Sequence, residues 1–165
     1  MSVPRYELAK NADAPLIAAM SGRLIETGLE PSWTPERVLR HVRHSESVVL
    51  AARSGSLLSG FAIMRFGDTS AHLNLLAVER GSQRRGIGRG LLTWLEESAI
   101  VAGTFLIELE LRAGNHSARA FYESLGYRET GRLPGYYQRI EDAVRMAHDL
   151  RIERGATQIS PRSKE

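Results

Sequence analysis

The chain has 165 residues, 42% hydrophobic and 25% charged, with a formal net charge of +3. That length suits one domain with a real core, and the composition is that of an ordinary globular protein. It contains no cysteine, which excludes disulfides, thiolate metal sites and a cysteine nucleophile.

No apolar run is long enough to span a membrane, and the opening Met-Ser-Val-Pro-Arg-Tyr-Glu has no apolar segment of the secretory type. A cytoplasmic protein with no membrane partner is therefore expected. The modest positive charge fits an anionic ligand or an acidic partner and does not call for nucleic acid. Monomer and homodimer both stay open.

In chain order, Arg5 to Lys10 reads as a short strand. A helix follows, capped by Asn11 or Asp13 and running to Glu26, with Leu16, Ile17, Met20 and Leu24 at helical spacing. After a loop at Gly28 to Ser32, Thr34 is placed to cap a second helix with Pro35 at its first position. His41 and His44 stand three apart on that helix with no third metal ligand nearby, so a solvated face is expected. Ser47 to Arg53 and Leu57 to Phe66 are strand-like and are joined by Ser54-Gly55-Ser56. Gly67-Asp68 turns the chain into an apolar run ending at Val78.

After Val78 comes Glu-Arg-Gly-Ser-Gln-Arg-Arg-Gly-Ile-Gly-Arg-Gly, then a helix whose core face is Ile87, Leu91, Trp94, Leu95 and Ala99, ended by Gly103. Leu106 to Arg112 alternates, with Ile107, Leu109 and Leu111 on one face and Glu108, Glu110 and Arg112 on the other. Asn115 or Ser117 starts a short helix closed by Gly126. Tyr127 to Leu133 and Asp142 to Asp149 are the last strands, joined through Pro134-Gly135-Tyr136-Tyr137. Residues 1–150 form one domain in this reading, and residues 151–165 form a polar, basic tail. The element order β-α-α-β-β-β-α-β-α-β-β predicts an α/β fold with a mixed sheet and helices on both faces.

The glycine-rich turn is the most informative stretch. A helix start offers free amides and a positive dipole end. Gly86, Gly88 and Gly90 clear side chains from the backbone, and Arg84, Arg85 and Arg89 add charge, so a phosphate cradle is expected. A P-loop would need Gly-Lys-Ser/Thr, and the dinucleotide fingerprint would need its third glycine one residue later. Gln-x-x-Gly-x-Gly, at Gln83, Gly86 and Gly88, is what fits.

With Gln83-Arg84-Arg85-Gly86-Ile87-Gly88 stand Leu109-Glu110-Leu111-Arg112-Ala113-Gly114-Asn115, Ala120-Phe121-Tyr122-Glu123-Ser124-Leu125-Gly126-Tyr127, and Tyr136-Tyr137 followed by Glu141-Asp142-Ala143. In these motifs Leu73 to Leu150 resembles the bacterial ribosomal-protein alanine N-acetyltransferases of the GCN5-related N-acetyltransferase (GNAT) superfamily. The first 70 residues match only in element order. The resemblance implies the GNAT fold, acetyl-CoA as co-substrate and no metal. It implies that Leu76, Ala77 and Val78 bind the acetyl carbonyl and pantetheine arm, that the turn from Arg84 through Ile87 and Arg89 to Gly90 holds the pyrophosphate, and that Asn115 contacts the pantetheine. It also implies Glu110 as general base and Tyr122 as general acid. The implied acceptor is an amine, favoured as a protein N-terminal α-amine; a small-molecule amine acceptor and a non-catalytic acyl-CoA-binding module are the alternatives. From the residues alone, Glu110 reads as a solvent-face residue of an amphipathic strand, Tyr122 as a core residue and Asn115 as a helix cap. The short basic Gln138-Arg139-Ile140 and the unmatched N-terminal helices leave the acceptor walls undefined.

Overall fold

The computed structural model describes residues 3–152. Apart from Arg151 and Ile152, the expected tail lies outside the described residues. Seven strands form one sheet: β1 (Arg5–Leu8), β2 (Ser47–Ser54), β3 (Leu57–Phe66), β4 (Ser70–Val78), β5 (Leu106–Arg112), β6 (Arg128–Tyr137) and β7 (Glu141–Asp149). The helices are α1 (Ala14–Leu24), α2 (Pro35–Arg43), α3 (Ile87–Val101) and α4 (His116–Ser124). The sheet order is β1-β2-β3-β4-β5-β7-β6, and β4 and β5 are parallel while the other pairs are antiparallel. The expected mixed sheet with helices on both faces is the observed fold.

Each face carries its own core. Ile87, Leu91, Leu92, Leu95 and Ala99 of α3 pack with Ile107, Leu109 and Leu111 of β5 and with Tyr122 of α4. On the other face, Ile17 and Met20 of α1 and Val38 of α2 pack on Phe61, Ile63, Leu75 and Ala77. Leu16 is exposed rather than core, because Ala14, Ile17, Ala18 and Ser21 form the inward stripe. Thr34 caps α2 as expected, its hydroxyl accepting from the Arg37 amide at 3.2 Å.

Two irregularities shape the site. Ile63 pairs with Leu75 and Met64 with Leu73, so Asn74 is an extra residue in β4. The bulge reverses the alternation: Ala71 and Leu73 enter the α3–α4 core, while Leu75 and Ala77 enter the α1–α2 core. Next, the parallel pairing of β4 with β5 stops at Leu73 and Leu109. Beyond that point β4 stays with β3 and β5 with β7, so the sheet opens into a notch between Asn74–Val78 and Glu110–Arg112.

The last hairpin differs from expectation. β6 runs through Pro134 and Gly135 to Tyr137, and the turn falls at Gln138-Arg139-Ile140. β6 is an edge strand, where a proline without an N–H is tolerated, and its register slips between Leu133 and Tyr137. Gln138 and Arg139 take φ of 54° and 62°, an unusual pair of left-handed non-glycine residues at a tight turn.

Candidate active site

The notch lies between two helix starts. On one side the chain passes from Val78 into α3. Arg84 and Gly86 have φ of 64° and 80°, and the backbone amides of Arg84 through Arg89 have no backbone acceptor among the described residues. The run of free amides and the three arginines bring hydrogen-bond donors and positive charge together at this turn. The Gln83 side chain fastens this turn to the end of β4, its amide donating to the Val78 carbonyl at 3.0 Å.

The three glycines divide. Gly86 supplies the left-handed cap of α3. A Cβ on Gly88 would meet the Phe121 ring at 3.3 Å and Val78 Cγ2 at 3.7 Å, so Gly88 lies where α3, α4 and the end of β4 converge. Gly90 does not belong to the cradle. Its amide already donates to the Gly86 carbonyl at 2.9 Å, and a Cβ there would fall 2.0 Å from the Tyr6 hydroxyl. Its bareness seats β1 against α3.

On the other side of the notch stands Asn115. Its Oδ1 caps α4 by accepting from the Ala118 amide at 3.1 Å, so the cap reading of this residue holds. The side-chain amide nitrogen makes no hydrogen bond among the described residues. Tyr122 lies on the inner face of α4, 7% exposed, edge-on to Phe121 and Tyr127 at 5.0 and 5.6 Å. Burial pushes its phenol well above the ordinary tyrosine range. Its hydroxyl has no hydrogen-bond partner among the described residues.

Glu110 faces the opposite side of β5 from Leu109 and Leu111. Its side chain is only 9% exposed. His72 Nε2 is hydrogen-bonded to Oε2, and Arg145, its cross-strand partner on β7, donates to Oε1 from Nη2 at 3.0 Å and Nε at 3.2 Å. Burial pushes this carboxyl up, but the hydrogen bonds and charges of His72 and then Arg145 outweigh it, and the net shift is downward. An ionised carboxylate only accepts, so His72 Nε2 carries the hydrogen, and Nδ1 of a neutral ring is left as an acceptor. Sequence reasoning missed His72 and Arg145, although Arg145 falls opposite Glu110 once the β5–β7 register is known.

The walls come from distant segments. Tyr136 and Tyr137 meet edge to face at 5.0 Å. Burial first raises both phenols; the Glu110 charge comes next at Tyr136, and at Tyr137 it follows the effect of Tyr136. Gln138 clamps the loop after α1, accepting from the Glu30 amide at 2.9 Å and donating to the Glu30 carbonyl at 2.7 Å. Arg112 ties the same loop from β5, donating to the Thr27 carbonyl at 2.6 Å and to Glu141 at 2.7 Å. No group of three or more His, Asp or Glu is placed to hold a metal among the described residues, and no described helix is long and apolar enough to cross a membrane.

The model of the acetyltransferase (GNAT) domain family matches residues 18–148. The chain belongs to the GNAT acetyltransferase family. N-alpha-acetyltransferase RimI of Mycobacterium tuberculosis is 34% identical over 131 residues, 77% of this chain and 80% of that protein. The [ribosomal protein bS18]-alanine N-acetyltransferase of Salmonella typhimurium is 41% identical over 93 residues, 54% of this chain, and the match spans 63% of that protein's length. The crystal structure of the ribosomal-protein-S18-alanine N-acetyltransferase from Escherichia coli superposes with a TM-score of 0.78 at 27% identity, over 90% of this chain and 94% of that one. PaiA N-acetyltransferase from Thermoplasma acidophilum, solved in complex with coenzyme A, shares the fold (TM-score 0.74, 17% identity, 89% and 99% covered).

Proposed function

We propose that the chain is an N-acetyltransferase that moves the acetyl group of acetyl-CoA directly to a primary amine, with a protein N-terminal α-amine as favoured acceptor. The observation that carries this reading is the notch between β4 and β5, with unpartnered amides at one end and a buried, ionised carboxylate beside it. The donor is an activated thioester. The amides and arginines of Arg84–Arg89 suit its pyrophosphate, with Gln83 fixing the turn. The edge of Leu76–Val78 facing the notch has lost its β5 partner and can bond an extended amide-bearing chain as a neighbouring strand would. Asn115 faces the notch from α4 with a free amide nitrogen.

The residues of this chain divide the proton work. A protonated amine cannot attack a thioester, so a base must take its proton. Glu110 is that base in combination with His72: the imidazole Nδ1 accepts, and Glu110 stabilises the imidazolium through Nε2. His72 and then Arg145 hold the carboxylate ionised. Tyr122 donates toward the sulfur as negative charge develops there; burial keeps the phenol protonated and unpaired until then. An α-amine, with a pKa near 8 against about 10.4 for lysine, is far easier to deprotonate near neutral pH.

CoA release measured across a panel of peptides and small amines tests the proposal. Peptides with free N-termini are the best substrates on this account. Release with polyamines or free lysine and none with α-amines would overturn it.

A further inference from the structure

α2, β2 and β3 border an open cleft of about 330 Å³ lined by Arg37, Arg40, His41, His44, Ser47 and Arg65. No carboxylate lines it. Several other described arginines are ion-paired: Arg23 with Glu79, Arg53 with Glu7 and Asp13, Arg112 with Glu141, Arg119 with Glu123 and Glu129, Arg145 with Glu110. Arg37, Arg40 and Arg65 have no acidic partner among the described residues, and they converge on one concavity. Three unpaired guanidinium groups around a cleft repel one another unless an anion enters.

The cleft is built, and it adjoins the acceptor side of the notch. Arg37 is seated over the Trp33 ring at 3.9 Å and donates to the Ser32 carbonyl at 3.4 Å. His41 stacks on Trp33 with ring centres 5.1 Å apart and shares a 3.0 Å hydrogen bond with Ser47 Oγ, so it is not the solvated surface histidine the sequence led us to expect. Arg65 is the cross-strand partner of His72, on the face of the sheet that carries Glu110. The Arg37 charge is felt at the Tyr136 hydroxyl, which also feels Glu110.

We propose that this cleft is a subsite for carboxylate side chains of the acceptor, within the first few residues behind the amine that is acetylated. The proposal rests on the acetyltransferase reading and adds the acceptor's chemical class: N-termini followed by acidic residues. The spacing follows from the sheet. Arg65 stands directly across the sheet from His72, about 5 Å away, so the cleft opens within a few residues' reach of the amine that His72 deprotonates. Burial first, and then the charges of Arg37, Arg65, His44 and Arg40, holds the His41 imidazole below the usual histidine range, in keeping with the cleft's positive field.

The test compares wild type with Arg37→Glu/Arg40→Glu, two positions of α2 outside the proton machinery. Acceptor peptides share their first two residues and carry aspartate, asparagine or lysine at the next three. Wild type should acetylate the aspartate peptide with kcat/KM about tenfold or more above the asparagine peptide, a gap that narrows at high salt. The variant should reverse the order of the aspartate and lysine peptides and keep its rate on the asparagine peptide. The same order in both proteins, or no charge preference in wild type, would overturn the subsite. So would an unchanged order accompanied by loss of heparin or oligonucleotide binding in the variant, which would assign the cleft to nucleic acid. Failure of wild type to acetylate any peptide would overturn the acetyltransferase reading and the subsite with it.

Discussion

Glu110→Gln is the most searching substitution. The amide is the same size and can still meet His72, so the β5–β7 register should survive. What is lost is the negative charge that holds the Arg145 guanidinium at 3.0 Å and orders the His72 ring. Losing charge-assisted bonds around a side chain only 9% exposed should cost about 1–3 kcal/mol of stability. The sign with pH is set by the downward shift of the folded-state carboxyl. Its ionised form stabilises the fold above the unfolded value of about 4.3, and that contribution is lost as pH falls through the lower folded value. Urea unfolding should therefore separate wild type from the variant at neutral pH and bring them together in acid. Turnover at pH 7 should fall about 10²- to 10⁴-fold, the scale of a lost general base. At pH 7 only about a tenth of an α-amine is free, and at pH 9 about nine-tenths, so raising the pH should return about tenfold of the variant's rate. A variant with the wild-type pH–rate profile would refute the base assignment, and a variant equally stable at every pH would refute the ion-pair account.

Tyr122→Phe should keep stability nearly unchanged, since the hydroxyl has no partner to lose, while turnover falls about 10²-fold or more; unchanged turnover would leave Tyr122 a core residue. Gly88→Val should crowd the Phe121 ring, which a Cβ already meets at 3.3 Å, and calorimetry should show acetyl-CoA affinity falling sharply in a folded protein. Gly90→Ala should destabilise by about 1–3 kcal/mol through the Tyr6 clash without loss of acetyl-CoA affinity per folded molecule. Combining it with Tyr6→Ala should recover the helix preference of alanine over glycine, about 1 kcal/mol relative to Tyr6→Ala alone.

Much of the fold was legible because its elements obey simple periods. The alternation of Leu106 to Arg112 and the Thr34-Pro35 helix start both stand where the residues place them. β6 was cut short because Pro134 and Gly135 read as a loop, and only their position on a sheet edge makes them strand residues. The bulge at Asn74 left no sequence signal, yet it decides which face of β4 each side chain takes. For the same reason His72 was invisible: its tie to Glu110 depends on the parallel register of β4 and β5, which no local pattern encodes. Glycine spacing alone could not separate Gly90, which answers to Tyr6, from Gly86 and Gly88.

The central claim is transfer to an α-amine, and locating the acetyl group tests it most directly. A peptide bearing both a free N-terminus and an internal lysine is incubated with acetyl-CoA and the enzyme, and the product is fragmented in a mass spectrometer. The account predicts the added acetyl group on the N-terminal nitrogen, and its disappearance when the N-terminus is blocked beforehand. Acetyl found on the lysine alone, or equal modification of the blocked peptide, would contradict it.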